Sequence, residues 1–123
     1  MSYDTDNVFA KILRDELPSK RVYEDEHALA FHDINPATPV HILVIPKGEY
    51  VDYDDFLGNA SAEEIVGFFK AVRHVAREMG VNEDGYRLVT NKGERAGQIV
   101  FHFHVHIFGG RPLGGMIKRV KEE

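Results

Sequence analysis

The sequence predicts an α+β domain in which an antiparallel five-stranded sheet packs on one long and one short helix. Apolar residues recur at helical spacing in a short segment near the start and in a long one past the middle. Short runs rich in β-branched and aromatic residues, bounded by Gly, Pro and Asp, fill the rest. Those runs come in groups interrupted by one long helix, and that order suits an antiparallel sheet.

In chain order, DNVFAKILRDELP carries Val8, Phe9, Ile12 and Leu13 at helical spacing, with Asp6 as the expected N-cap and Pro18 as the stop. RVYEDEHALAFHDI reads as two strands, 21–25 and 28–33, joined by a tight turn at Asp25 and Glu26. PVHILVIPK is a third strand bracketed by Pro39 and Pro46. Residues 47–60 are polar and irregular and predict a loop with one helical turn.

SAEEIVGFFKAVRHVAREMG opens on Ser61 and Glu64 at capping-box spacing and ends at Gly80. Its apolar stripe runs through Ile65, Phe68, Phe69, Val72, Val75, Ala76 and Met79. GYRLVTNKG and IVFHFHVHIFGG supply the last two strands, separated by a loop with Gly93 and Gly97. A short charged tail, about 116–123, completes a single domain over 1–123.

Bulk composition narrows the function classes. The net charge of −5 opposes general binding to nucleic-acid backbones or anionic lipid. A small phosphorylated ligand stays open, because a pocket supplies its own donors. The absence of cysteine removes disulfides, thiolate chemistry and cysteine-based zinc sites. No apolar run approaches the roughly 20 residues of a membrane span, and MSYDTDNVFAK lacks the order of a signal peptide. The expectation is a cytoplasmic protein with no membrane association.

The chain spends three of its seven histidines in one row, FHFHVHIF at 101–108. On a strand, Phe101, Phe103, Val105 and Ile107 would turn to one face and His102, His104 and His106 to the other. Neighbouring imidazoles would then stand about 6–7 Å apart, close enough to act on adjacent atoms of one ligand. Imidazole serves as nucleophile, general acid, general base or metal ligand, and the spacing does not choose among these.

NKGERAGQ, just before the row, places Asn91, Gly93, Gly97 and Gln98 beside it. Glycine turns let backbone N–H groups face an anion, though they serve equally as a plain strand connection. On the earlier strand His41 shares a face with Leu43 and Ile45. Such a histidine is ordinarily a buried, hydrogen-bonded residue, and it could also orient another imidazole. Asp33, at the end of the strand before, caps a turn or accepts hydrogen bonds from ribose hydroxyls.

His102-Phe103-His104-Val105-His106-Ile107-Phe108 resembles the His-φ-His-φ-His-φ-φ signature of the histidine triad (HIT) superfamily, where φ is apolar. FAKILRDELPSKRVYEDEHALAFHDINPATPVHILVIPK and RLVTNKGERAGQIVFHFHVHIFGGR both resemble its Hint branch, so that the likeness covers roughly residues 8–112. The resemblance implies the HIT α+β fold, usually as a homodimer, and cleavage of purine mononucleotide derivatives (AMP- or GMP-like) at the α-phosphorus without metal or cofactor. By the same resemblance His104 is the nucleophile that becomes a nucleotidyl-phosphohistidine. His106 would contact the phosphate and help protonate the leaving group, with His102 and His41 as supporting imidazoles. Asp33 matches the ribose-binding acid, Phe31 and Ile34 lie near the base, and Asn91, Gly97 and Gln98 match phosphate contacts.

The chain departs from the Hint pattern twice. Ile99 stands where relatives commonly have a phosphate-contacting Ser, and RPLGGMIKRVKEE lacks the Trp-Pro tail that shapes the leaving-group side. The alternatives to a purine nucleoside phosphoramidase or nucleotidyl hydrolase are a Fhit-like dinucleoside polyphosphate hydrolase and a nucleotide-binding or interaction protein with little catalysis. A metal-binding reading ranks behind them, since no acidic or cysteine ligand lies beside the row in sequence.

Overall fold

The computed structural model describes residues 2–120, and the tail expected over 116–123 falls within it only as far as Val120. Helix α1 (Val8–Leu13) starts one residue later than expected. Asn7, not Asp6, is its N-cap, the side-chain carbonyl accepting from the Ala10 N–H at 2.9 Å. The helix stops well short of Pro18, where Asp15 takes a left-handed backbone conformation with φ of 62°.

Strands β1 (Arg21–Glu24), β2 (Ala28–His32), β3 (Val40–Pro46), β4 (Arg87–Val89) and β5 (Val105–Gly109) form one antiparallel sheet in the order β1-β2-β3-β5-β4. The β1–β2 corner is closed by the Asp25 carboxylate, which accepts from the N–H groups of His27 and Ala28. Residues 47–60, expected to hold a single helical turn, contain helix α2 (Tyr53–Asn59), capped by the Asp52 side chain on the Asp55 N–H. The fold thus has one helix beyond the two expected.

Helix α3 (Ala62–Glu78) carries the expected capping box between Ser61 and Glu64. It covers one face of the sheet. Phe68, Ala71, Val72, Val75 and Ala76 pack there with Ala28, Ala30, Ile42, Val44, Val105 and Ile107, and with the rings of Phe56 and Phe103. Phe69, placed on the stripe by its spacing, sits at the rim with its ring against Phe56 and Phe68. Gly67 lets the helix approach closely, because a Cβ there would fall 2.2 Å from the His27 ring.

The opposite face holds Leu29, Phe31, Leu43 and Ile45 under Phe9 and Ile12 of α1. Both faces of β2 and β3 are therefore covered, which explains their near-continuous apolar runs. No helix among the described residues is long and apolar enough to cross a membrane.

The histidine row corrects the expected strand. β5 begins only at Val105, and residues 101–104 run outside the ladder. The register of β3 against β5 ends at the Val44–Val105 pair. Pro46, just beyond, has no N–H to give, and its carbonyl accepts from the His102 ring instead. Phe103, Val105 and Ile107 still point into the core, but Phe101 stays only half-buried.

Candidate active site

The site lies on the α1 side of the sheet, where β3 and β5 bring His41 and His106 side by side and the segment before β5 adds His102 and His104. These imidazoles are not a solvated row: His102 is 0% exposed, and His104 and His41 are buried as well. Their partners define where each proton sits.

His104 Nδ1 lies 2.7 Å from the backbone carbonyl of His102, an oxygen that can only accept. Nδ1 therefore carries the hydrogen and Nε2 keeps a free lone pair. The Phe9 ring stands perpendicular to this imidazole, with centroids 4.9 Å apart, and fixes its plane. The carbonyl of His104 itself accepts from the Thr90 hydroxyl at 2.8 Å.

The second pair reads the opposite way. The Ala37 N–H, which can only donate, is 3.0 Å from His41 Nδ1, so His41 carries its hydrogen on Nε2. That nitrogen donates to His106 Nδ1 at 2.9 Å, which leaves the His106 hydrogen on Nε2. Asp33 Oδ2 lies 3.4 Å from the same His41 nitrogen. The rings of His104 and His106 are 5.1 Å apart, so a lone-pair imidazole faces a proton-bearing one.

His102 is held at both ring nitrogens. Nε2 donates to the Pro46 carbonyl at 2.9 Å, and Nδ1 accepts from the Tyr3 hydroxyl at 2.6 Å. Burial pushes the Tyr3 phenol up from its usual range, so it keeps the hydrogen it donates.

Burial also sets the charge state. It lowers His102 to about 4, against a weaker upward pull from the Pro46 carbonyl. His106 is likewise lowered to about 4, by burial first and then by His104 and His41, with the Asp33 carboxylate opposing. His104 and His41 shift downward for the same leading reason. All four imidazoles are neutral near pH 7, and a neutral imidazole is what a nucleophile requires.

The remaining expected residues are distributed differently. Asp33 sits beside His41, and its Oδ1 caps the turn by accepting from the Asn35 N–H at 2.8 Å. Phe31 is buried edge-on against Phe9, whereas Ile34 is 91% exposed. Asn91 is half-buried on the loop after β4.

Gly97 and Gln98, expected as phosphate contacts, both spend their N–H groups within the loop, and Gln98 is buried. The Gly97 N–H goes to Glu94 and the Gln98 N–H to Gly93, both across the 3-10 turn of Glu94–Ala96. The Gln98 side chain accepts from Gly93 and donates to the carbonyls of Val51 and Val100. Gln98 braces the loop. The N–H groups of Ile99 and Val100, like those of Glu94 and Arg95 earlier in the loop, make no hydrogen bond among the described residues, and they are the ones nearest in sequence to the histidine row.

An acidic group absent from the local sequence does join the site. Asp33, His41 and His106 bring three ligand-type atoms within 4.8 Å of one another. The His41 and His106 nitrogens, however, share a hydrogen bond at 2.9 Å. Two nitrogens on a tetrahedral zinc at roughly 2.0–2.1 Å each would stand about 3.3 Å apart. The spacing suits a proton rather than an ion.

Several participants have no signature in the sequence. Tyr3, Phe9, the Ala37 N–H and the Pro46 carbonyl all reach the imidazoles across the fold, and a backbone group is the same whatever residue carries it.

Comparison with known families matches residues 14–113 to the HIT domain. An uncharacterised 13.2 kDa HIT-like protein of Azospirillum brasilense is 60% identical over 118 residues, 96% of this chain and 97% of that one. The purine nucleoside phosphoramidase of Escherichia coli strain K12 is 42% identical over 113 residues, covering 91% of this chain and 93% of the relative. Among solved structures, a HIT family hydrolase from Clostridium thermocellum superposes with a TM-score of 0.81 at 44% identity, over 92% of this chain and 97% of that one.

Proposed function

The chain belongs to the HIT domain family, and from that membership we propose that it is a purine nucleotide phosphoramidase or nucleotidyl hydrolase, acting at the α-phosphorus through a covalent intermediate on His104. One observation carries the reading. The His102 carbonyl holds the hydrogen of His104 on Nδ1 and leaves a bare lone pair on Nε2, beside an imidazole whose hydrogen is held outward on Nε2.

The Nε2 lone pair of His104 attacks phosphorus as the bond to the leaving amine breaks. Nδ1–H stays on the His102 carbonyl throughout and shares the positive charge that develops on the ring. A bound phosphate supplies negative charge beside His106 and opposes the burial that keeps this imidazole neutral, so its proton affinity rises in the complex. His106 takes a second proton, on Nδ1, from solvent as the substrate binds and passes the one on Nε2 to the departing nitrogen, while the His41 Nε2–H turns to Asp33 Oδ2. In the second half water attacks the phosphohistidine, gives its proton to His106 and releases the nucleotide. Two in-line displacements retain configuration at phosphorus.

The N–H groups of Ile99 and Val100, next to the histidine row in sequence, are candidates for the phosphate oxygens. Asp33 and the Phe31–Ile34 segment would take the nucleoside, and Asn91 would complete the phosphate side. This reading needs no metal, cofactor, nucleic acid or membrane, and it suits a cytoplasmic protein of one domain. A homodimer is proposed on two features: exposed Val66 and Phe69 on α3, and the edge position of β4, where Leu88 is exposed. Sedimentation as a monomer at micromolar concentration would reject it.

The test is release of AMP from adenosine 5′-phosphoramidate, in the presence of EDTA, by wild type and His104→Ala in parallel. Wild-type turnover that collapses in the variant is expected. Full turnover by His104→Ala would remove the nucleophile from the scheme, and turnover confined to diadenosine polyphosphates would move the protein to the Fhit-like class.

A further inference from the structure

The nucleophile is oriented by a peptide group, and something must hold that peptide group still. The unit linking His102 to Phe103 is tied at both ends: its carbonyl accepts from His104 Nδ1 at 2.7 Å, and its N–H donates to the Tyr50 carbonyl at 2.7 Å. The side chain leaving the same residue is tied as well, by Pro46 on one ring nitrogen and by Tyr3 on the other.

Tyr3 is the one member of this set that comes from outside the sheet and its connections. It lies 99 residues away in sequence, ahead of α1, and its hydroxyl meets His102 Nδ1 at 2.6 Å with the two rings edge-on at 5.6 Å. We propose that Tyr3 is a positioning residue for the reaction: its hydroxyl locks the His102 imidazole, and thereby the carbonyl that keeps the His104 hydrogen on Nδ1. The role rests on the reading of His104 as nucleophile, which it deepens.

His102 is fully buried, and Tyr3 is the one partner its Nδ1 has among the described residues. With Tyr3 as donor, the neutral imidazole has a single arrangement that satisfies both nitrogens, Nε2–H to Pro46 and the Nδ1 lone pair to Tyr3. Without the hydroxyl, Nδ1 becomes a buried acceptor with no donor, and the ring gains by tilting or by moving its hydrogen. Either change shifts the carbonyl on which His104 depends.

Tyr3→Phe removes one oxygen and keeps the ring that packs against His102. Two readouts test it. In long-range proton–nitrogen NMR spectra of histidine-labelled, ligand-free protein, wild type should show His102 with its hydrogen on Nε2 and His104 with its hydrogen on Nδ1. Tyr3→Phe should shift the ring-nitrogen signals of both residues. With adenosine 5′-phosphoramidate, kcat should fall about tenfold, the consequence of leaving one buried acceptor unpaired, and KM should stay within about twofold because Tyr3 touches His102 rather than substrate.

Unchanged nitrogen signals at His102 and His104 in Tyr3→Phe would overturn the proposal whatever the activity, and so would shifted signals with an unchanged kcat. If wild type fails to turn over this substrate, the proposed function falls, but the spectra still decide whether Tyr3 sets the two imidazoles.

Discussion

The two halves of the imidazole cluster are wired differently. His102 and His104 have their hydrogens assigned by backbone carbonyls, those of Pro46 and of His102 itself, whereas His41 and His106 pass a hydrogen directly between rings, with the Asp33 carboxylate as a second acceptor. A carbonyl never releases its role as acceptor, so the first half is static. The second half can rearrange, because the Ala37 N–H keeps the His41 hydrogen on Nε2 while two acceptors, His106 Nδ1 and Asp33 Oδ2, compete for it. A nucleophile profits from the first kind of wiring and a proton carrier from the second.

Substitution should separate the two halves by leaving group. His104→Ala should reduce turnover of every substrate by at least about a thousandfold, as the loss of a nucleophile does. His106→Ala should cost about a hundredfold with a poor amine leaving group, which needs its proton, and far less with a nitrophenolate, which departs unprotonated. Measured kcat for both variants on both substrates would break the comparison if His106→Ala proved indifferent to the leaving group.

Acidity should sharpen the same contrast. Burial lowers His102 and His106 to about 4 from the ordinary 6.5 of the unfolded chain. The unfolded state therefore binds more protons between those values, and the contribution of these residues to stability is whole above about 6.5 and lost as pH falls toward about 4. Melting temperature followed from pH 7 to 4 should decline, and the decline should be shallower in His102→Gln, which removes one depressed imidazole. An unaltered slope in that variant would mean that His102 is not what acid must charge.

The smallest effect belongs to Ile99. Its side chain is 87% exposed and lacks the hydroxyl that the Hint pattern carries there. Ile99→Ser should raise kcat/KM by a few-fold at most, about the worth of one hydrogen bond in a solvated position. No change would assign the phosphate contact at this position to the backbone N–H alone.

The sequence made the scaffold and the four histidines readable for physical reasons. Ser61 and Glu64 announce a helix start because a capping box needs only local spacing, and alternation on PVHILVIP puts His41 on the face of Leu43 and Ile45, opposite Ile42 and Val44. What it could not show were contacts made across the fold. The row at 101–108 has perfect strand periodicity, yet pairing depends on a partner, and Pro46 ends the ladder at Val105. Gln98 looks like a ligand donor by its place in the loop, but its amide is consumed by Gly93, Val51 and Val100. Asp33 reads as a ribose acid or a turn cap, and only the pairing of β3 with β2 on one side and β5 on the other brings it to His41 and His106.

The His102 carbonyl has a consequence for how this site tolerates change over generations. Every amino acid brings a carbonyl oxygen, so no replacement at position 102 can delete the acceptor that gives His104 its free Nε2. Replacements there, or at the contacts of its ring, can only displace it. The reactive form of the nucleophile is thus heritable through the main chain, while the quality of its aim is left to side chains and open to gradual adjustment.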